Sequence, residues 1–214
     1  MARIKVKICG VGNLEDANLV ASLGAEYIGM NFYKESPRKV SVKMARDIID
    51  KLPPFVQSVG VFVNEELPVV VSTVKKTGLD FVQLHGDETP EYCAAVKEKT
   101  GVPVIKAFRI VDESSFAPLA QYQSIVDYFL LDAYVPEVPG GTGEMFNWDL
   151  VVTMKVKDLG KPFFLAGGLT PENVAQAVEK VDPFAVDTAS GVERLPKRKD
   201  FEKMKNFIRN ARGL

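Results

Sequence analysis

Six side chains in this sequence have types and settings that could move protons, grip an anion or form a covalent adduct: Cys9, Arg38, His85, Lys106, Asp132 and Asp187. Cys9 carries a thiol with an ordinary pKa of about 8.5, which positive charge or a helix N-terminus turns into a thiolate base or nucleophile. An inert buried thiol is the competing reading, and Cys93, between Tyr92 and Ala94 at a helical position, is read as structural. Asp132 ends the apolar run Tyr128-Phe129-Leu130-Leu131. A carboxyl in such a partly apolar mouth keeps its proton and can act as a general acid, although capping or pairing with a lysine is the plainer role.

Asp187 ends Phe184-Ala185-Val186, where it either binds substrate hydroxyls or braces neighbouring loops. Arg38, in Ser36-Pro37-Arg38, offers a planar fork for a carboxylate, against the alternative of a solvated loop arginine. His85 is the only histidine and has no companion histidine or carboxylate cluster, so no metal site is expected. Lys106, if desolvated inside a barrel, could form a Schiff base.

Glycines gather in three late segments, Gly140-Gly141-Thr142-Gly143, Gly167-Gly168 and Ser190-Gly191. Without a Cβ, their backbone N–H groups can approach a phosphate closely; tight turns are the simpler explanation. The formal net charge of -1 gives no reason to expect nucleic acid or an anionic membrane as the main partner. Any anion site must therefore be local.

These residues need a scaffold, and the chain supplies a regular one. Short apolar, β-branched runs alternate with segments of helical periodicity. The predicted strands are 4–8, 27–32, 58–63, 81–84, 104–108, 128–132, 163–166 and 184–187. Between them, apolar residues three and four apart mark helices, as in Val42, Ala45, Ile49 and Leu52, or Val174, Ala177, Val178 and Val181. Thr89-Pro90-Glu91 and Thr170-Pro171-Glu172-Asn173 each place a capping hydroxyl before a proline at the first helical position.

Strands that are apolar throughout belong in a parallel sheet covered on both faces. Eight strand-helix units with right-handed crossovers predict a single α/β domain over 1–214, a (β/α)8 TIM barrel. The open doubly wound rival needs a dinucleotide fingerprint after the first strand, and Cys9-Gly10-Val11-Gly12-Asn13 does not continue to its third glycine. A barrel keeps its active site at the C-terminal strand ends and its phosphate site after strands seven and eight. All six reactive side chains lie at or near strand ends on that side. Two cysteines are too few for a disulfide framework, and the start lacks the apolar stretch of a signal peptide, so a cytoplasmic protein is expected.

In order along nearly the whole chain, several stretches together resemble the phosphoribosylanthranilate isomerase family of tryptophan biosynthesis. They are Lys7-Ile8-Cys9-Gly10, Ser36-Pro37-Arg38, Gly60-Val61-Phe62-Val63-Asn64, Val82-Gln83-Leu84-His85-Gly86, Leu131-Asp132, Gly140-Gly141-Thr142-Gly143, Phe146-Asn147-Trp148, Ala166-Gly167-Gly168-Leu169, Pro171-Glu172-Asn173-Val174 and Asp187-Thr188-Ala189-Ser190-Gly191-Val192-Glu193. The resemblance implies a cofactor-free Amadori rearrangement of N-(5'-phosphoribosyl)anthranilate to 1-(2-carboxyphenylamino)-1-deoxyribulose 5-phosphate. It makes Asp132 the acid that protonates the furanose oxygen and Cys9 the base that removes the C2' proton. The acid then starts protonated and the base ionised.

By the same resemblance Arg38 pairs with the anthranilate carboxylate, and Gly141, Gly143, Gly167, Gly168, Ser190 and Gly191 surround the phosphate. His85 and Asp187 order substrate hydroxyls or the site. Three rivals remain open at this level: a Schiff-base aldolase using Lys106, a related isomerase acting on ProFAR, which generally has an aspartate at the place of Cys9, and a non-catalytic phosphate-binding barrel. A homodimer also stays open, because barrels expose helices whose outer faces can pair.

Overall fold

The predicted runs become strands because each can bury one face against its neighbours across a lumen and the other beneath helices. In the computed structural model, which describes residues 3–132, 148–154 and 156–214, they close into a parallel barrel in chain order. The barrel strands are β1 (Lys5–Ile8), β2 (Tyr27–Asn31), β3 (Gln57–Phe62), β4 (Phe81–Leu84), β5 (Val104–Arg109), β6 (Tyr128–Asp132), β7 (Phe163–Ala166) and β8 (Ala185–Thr188). Helices α1 (Leu14–Ser22), α2 (Val42–Ile49), α3 (Leu67–Thr77), α4 (Pro90–Thr100), α5 (Leu119–Tyr122), α6 (Trp148–Thr153), α7 (Val174–Val181) and α8 (Phe201–Ala211) follow them in turn. The predicted phosphate ligands Gly141 and Gly143 lie outside the described residues.

Strand alternation divides the core in two. Inside the barrel, Tyr27, Val59, Phe81, Ile105, Leu130, Phe164 and Ala185 fill the lumen, with Tyr27 packed edge-on against Phe81 and Phe164 at 5.7 and 5.3 Å. Outside, Val6, Ile8, Ile28, Met30, Phe62 and Phe129 pack under the helices. The aromatic layer plugs the N-terminal half of the lumen, so polar inward side chains collect in the other half, where the strands end.

Two expectations need correction. Thr89 does cap α4, accepting from the Tyr92 N–H. By contrast α7 begins at Val174 and not at Pro171. Thr170 and Asn173 instead close a turn on each other, the Thr170 N–H donating to Asn173 Oδ1 at 2.8 Å. The Asn173 Nδ2 reaches back to the Gly168 carbonyl, tying the turn to the glycine loop.

The second correction concerns Lys106. It has the parity of Val104 and Phe108, which pack in the outer layer, so it points away from the lumen. There it is buried, with Nζ bonded to Glu88 Oε2 at 3.0 Å and to the Gly86 carbonyl at 2.7 Å. Glu88 also accepts the Asn64 and Gly86 N–H groups, joining the loops after β3 and β4. This lysine is a buried structural partner of Glu88 and not an open nucleophile.

Removing one partner of a buried pair leaves an uncompensated charge, which costs about 3–5 kcal/mol. Glu88→Ala is therefore expected to lower unfolding free energy by that order, measured from urea midpoints. A change below about 1 kcal/mol, the range of exposed pairs, would reject this role.

Candidate active site

Seven elements bring their C-terminal ends to one cavity. Its lining includes Cys9, Asn31, Arg38, Val61, Gln83, His85, Asp132, Asp187 and the segments 166–169 and 187–190. Cys9, Arg38, His85, Asp132, Asp187, Gly167, Gly168 and Ser190 thus share one site. Gly191 lies just behind it, in a short 3-10 turn over Ser190–Val192, and Lys106 is not among the lining residues.

The β1 sequence explains the first wall. Lys5, Lys7 and Cys9 alternate with the outer-layer Val6 and Ile8, so they form an inward row from the plugged end to the mouth. Lys7 is completely buried and its Nζ meets Asp187 Oδ1 at 3.0 Å, across the β1–β8 pair in which Lys7 and Asp187 are register partners. Burial works against the Lys7 ammonium, but Asp187 and Cys9 outweigh it and hold its pKa above the ordinary range. Close approach also requires Gly29 on β2: a Cβ there would stand 2.7 Å from Cys9 Sγ and 3.1 Å from Lys7 Nζ.

Cys9 is partly exposed. Burial of its sulfur pushes the thiol pKa up, Lys7 pulls it down, Asp187 adds to the rise, and Lys199 opposes it; the net shift is upward. The base expected to start as a thiolate is therefore held mainly as a thiol by these residues, because desolvation exceeds the help from two lysines.

Arg38 is not a free fork. Its Nη2 and Nε bond Glu193 at 2.6 and 3.0 Å, and Lys199 Nζ reaches Glu193 Oε1 at 2.9 Å. Arg38 and Lys199 hold the Glu193 carboxyl below its usual range despite its burial. Glu193 and Lys199 sit on a hairpin unforeseen in the sequence, β9 (Glu193–Leu195) with β10 (Arg198–Lys199). Lys199 Nζ also donates to the Cys9 and Ala189 carbonyls, so the hairpin braces the first and last strand ends.

On the far side, three barrel steps from β1, His85 Nε2 stands 3.1 Å from Asp132 Oδ2 and its Nδ1 stands 2.8 Å from Gln83 Nε2. Both ring nitrogens are engaged within the protein, which favours ordering of Asp132 over direct hydroxyl binding. The corner where a phosphate is expected contains Gly167 and Gly168, with φ of 90° and 66°, beside Ser190. Those backbone angles are open to glycine and strained for other residues.

Sequence reasoning passed over Lys7, Gln83, Glu193 and Lys199. The first two were legible as charged or amide residues two positions before Cys9 and His85, hence on the same inward face. For Lys199 nothing local pointed to the site. No group of three or more metal-ligating side chains is assembled among the described residues, and no helix there is long and apolar enough to cross a membrane.

The chain matches the family model described as N-(5'-phosphoribosyl)anthranilate (PRA) isomerase over residues 6–210. It is 50% identical over 209 residues to the N-(5'-phosphoribosyl)anthranilate isomerase of Pelobacter propionicus, covering 98% of this chain and 96% of that protein. A phosphoribosyl anthranilate isomerase solved with reduced 1-(o-carboxyphenylamino)-1-deoxyribulose 5-phosphate superposes with a TM-score of 0.88 at 41% identity, covering 99% of this chain and all of that one. The dimeric Thermotoga maritima enzyme, solved as engineered monomers, gives a TM-score of 0.87 at 40% identity, again over 99% of this chain and all of its own.

Because its pKa lies above the ordinary thiol value of about 8.5, Cys9 should be alkylated by iodoacetamide with a rate that rises through a midpoint above that pH. Lys7→Met, which removes a positive charge from beside the sulfur, should move the midpoint higher still. A midpoint at or below about 8.5 in the wild type would contradict the electrostatic account.

Proposed function

Since this chain belongs to the N-(5'-phosphoribosyl)anthranilate isomerase family, we propose that Asp132 and Cys9 divide the proton transfers of that isomerisation between them. The chain is an isomerase of tryptophan biosynthesis, converting N-(5'-phosphoribosyl)anthranilate to 1-(2-carboxyphenylamino)-1-deoxyribulose 5-phosphate. The observation that carries the residue assignment is the shared cavity, with the carboxyl on β6 and the thiol after β1 on different walls.

Asp132 gives its proton to the furanose ring oxygen as the C1'–O bond breaks, leaving a protonated Schiff base between the anthranilate nitrogen and C1'. The iminium acidifies C2', and Cys9, having first released its own thiol proton to solvent, removes the C2' proton as a thiolate. The electron pair of the C2'–H bond forms the C1'–C2' double bond while the iminium nitrogen becomes neutral. Tautomerisation of this enolamine delivers the ketone. The lysines beside Cys9 stabilise the thiolate at the moment it is needed, and the iminium lowers the strength of base required.

The phosphate rests on Gly167, Gly168, Ser190 and Gly191, with Gly141 and Gly143 as further ligands in this reading. Arg38 meets the anthranilate carboxylate with the guanidinium edge that Glu193 leaves open, and Asp187 lies within the same cavity to order hydroxyls. The whole chain acts as one catalytic domain in the cytoplasm. A homodimer is supported by Phe55, 59% exposed, in the loop before β3. That loop shares the N-terminal end of the barrel with a cavity formed by Ile4, Val178, Phe184, Ala211 and Leu214.

Fluorescence of N-(5'-phosphoribosyl)anthranilate should disappear on adding the protein. Asp132→Asn should reduce kcat by about 10² to 10⁴, the usual worth of a positioned acid, with product affinity nearly kept; wild-type turnover would remove Asp132 from the mechanism. Arg38→Ala should chiefly raise KM, and an unchanged KM would reject its carboxylate role. Sedimentation should give a dimer at micromolar concentration, where a monomer would reject that assembly.

A further inference from the structure

One buried polar group in the cavity wall is used by none of the steps above. Gln83 sits mid-barrel on β4, 1% exposed, and its Oε1 has no hydrogen-bond partner among the described residues. Its amide nitrogen faces His85 Nδ1 at 2.8 Å, and His85 Nε2 faces Asp132 Oδ2 at 3.1 Å. The three side chains form one line running from the barrel interior to the proposed acid.

An amide nitrogen has two hydrogens and no available lone pair, so it only donates. His85 Nδ1 must then accept, which leaves the proton of the neutral ring on Nε2, directed at Asp132. Turning the amide over would bring Oε1 to Nδ1 and leave both amide N–H groups without a partner, against one N–H and Oε1 at present. The two orientations strand the same number of groups, and the structure sets the nitrogen against Nδ1.

We propose that Gln83 is a positioning residue that fixes His85 in its Nε2–H tautomer, and so reserves Asp132 Oδ1 for the proton delivered to substrate. With Oδ2 accepting from Nε2–H, the carboxylic acid carries its proton on the other oxygen. After transfer, the same Nε2–H bond stabilises the carboxylate that remains. The inference rests on Asp132 being the general acid. The order of control runs from amide to ring to carboxyl, as in other sites where a residue behind a histidine selects its tautomer.

The chain has a single histidine, so two-bond 1H–15N correlation spectra of the imidazole report His85 without ambiguity. At neutral pH the wild type should show Nε2 protonated and Nδ1 bare; a proton on Nδ1, as the other tautomer or as imidazolium, overturns the proposal without recourse to any variant. Gln83→Glu replaces the donor by an acceptor and should bring a proton to Nδ1, and Gln83→Met should give mixed tautomers.

In both variants kcat should fall by about 10- to 100-fold, the range seen when a partner behind a functional histidine is lost, with KM within about twofold of wild type. An altered tautomer with unchanged kcat overturns the proposal if Asp132→Asn is inactive. If Asp132→Asn is itself fully active, it is the acid assignment that has failed.

Discussion

A ring of eight parallel strands sends every second side chain into a lumen too narrow for solvent and the alternate ones beneath helices. Nearly every functional feature of this chain follows from that division. Lys7 and Lys106 are both lysines inside apolar strands, yet their parity gives them different lives. Lys7 enters the lumen below Cys9 and pairs with Asp187; Lys106 leaves it and locks two loops through Glu88. A Schiff-base amine would have to be inward and open, and Lys106 is neither.

Inside the lumen the aromatic plug around Tyr27, Phe81 and Phe164 excludes water from one end, so ionised groups at the other end must find partners within the protein. They do so in pairs that cross strand boundaries, Lys7 with Asp187 and Arg38 and Lys199 with Glu193, while His85 and Asp132 meet across strands by a hydrogen bond. Such pairs contribute little net stability, since desolvation offsets most of the attraction. What they do provide is position. Each holds a side chain at the cavity in one geometry, and all but the Lys199–Glu193 contact join residues remote in the chain, so the reacting groups are ordered only when the barrel has closed.

The same low-polarity surroundings act on the two proposed catalysts in different ways. Around Cys9 burial exceeds the pull of two lysines and keeps the sulfur mainly protonated, so it must release that proton to solvent before it can take one from C2'. Asp132, on the wall three steps away, meets His85, whose other ring nitrogen faces the Gln83 amide. One wall stores a charge pair under a thiol, whereas the other lines up an amide, an imidazole and a carboxyl.

Local pattern was enough to define much of this molecule. The apolar runs are so short and so regularly spaced that three strands, 81–84, 128–132 and 163–166, carry their expected limits, and every other barrel strand differs by about one residue per end. Strand ends also marked Cys9, His85, Asp132 and Asp187, because a parallel barrel concentrates chemistry there. What the sequence could not settle was pairing. Glu193 lies 155 positions from Arg38 and Lys199 lies 190 from Cys9, and only closure of β8 against β1, with the hairpin beyond it, brings them together. The α7 start was misplaced for a similar reason: Asn173 gives its side chain to the glycine loop, a contact that no helix-start pattern contains. Periodicity is a property of neighbours in the chain and was legible; charge partners, thiol acidity and the partners of the His85 ring are properties of neighbours in space, and these the tertiary structure decided.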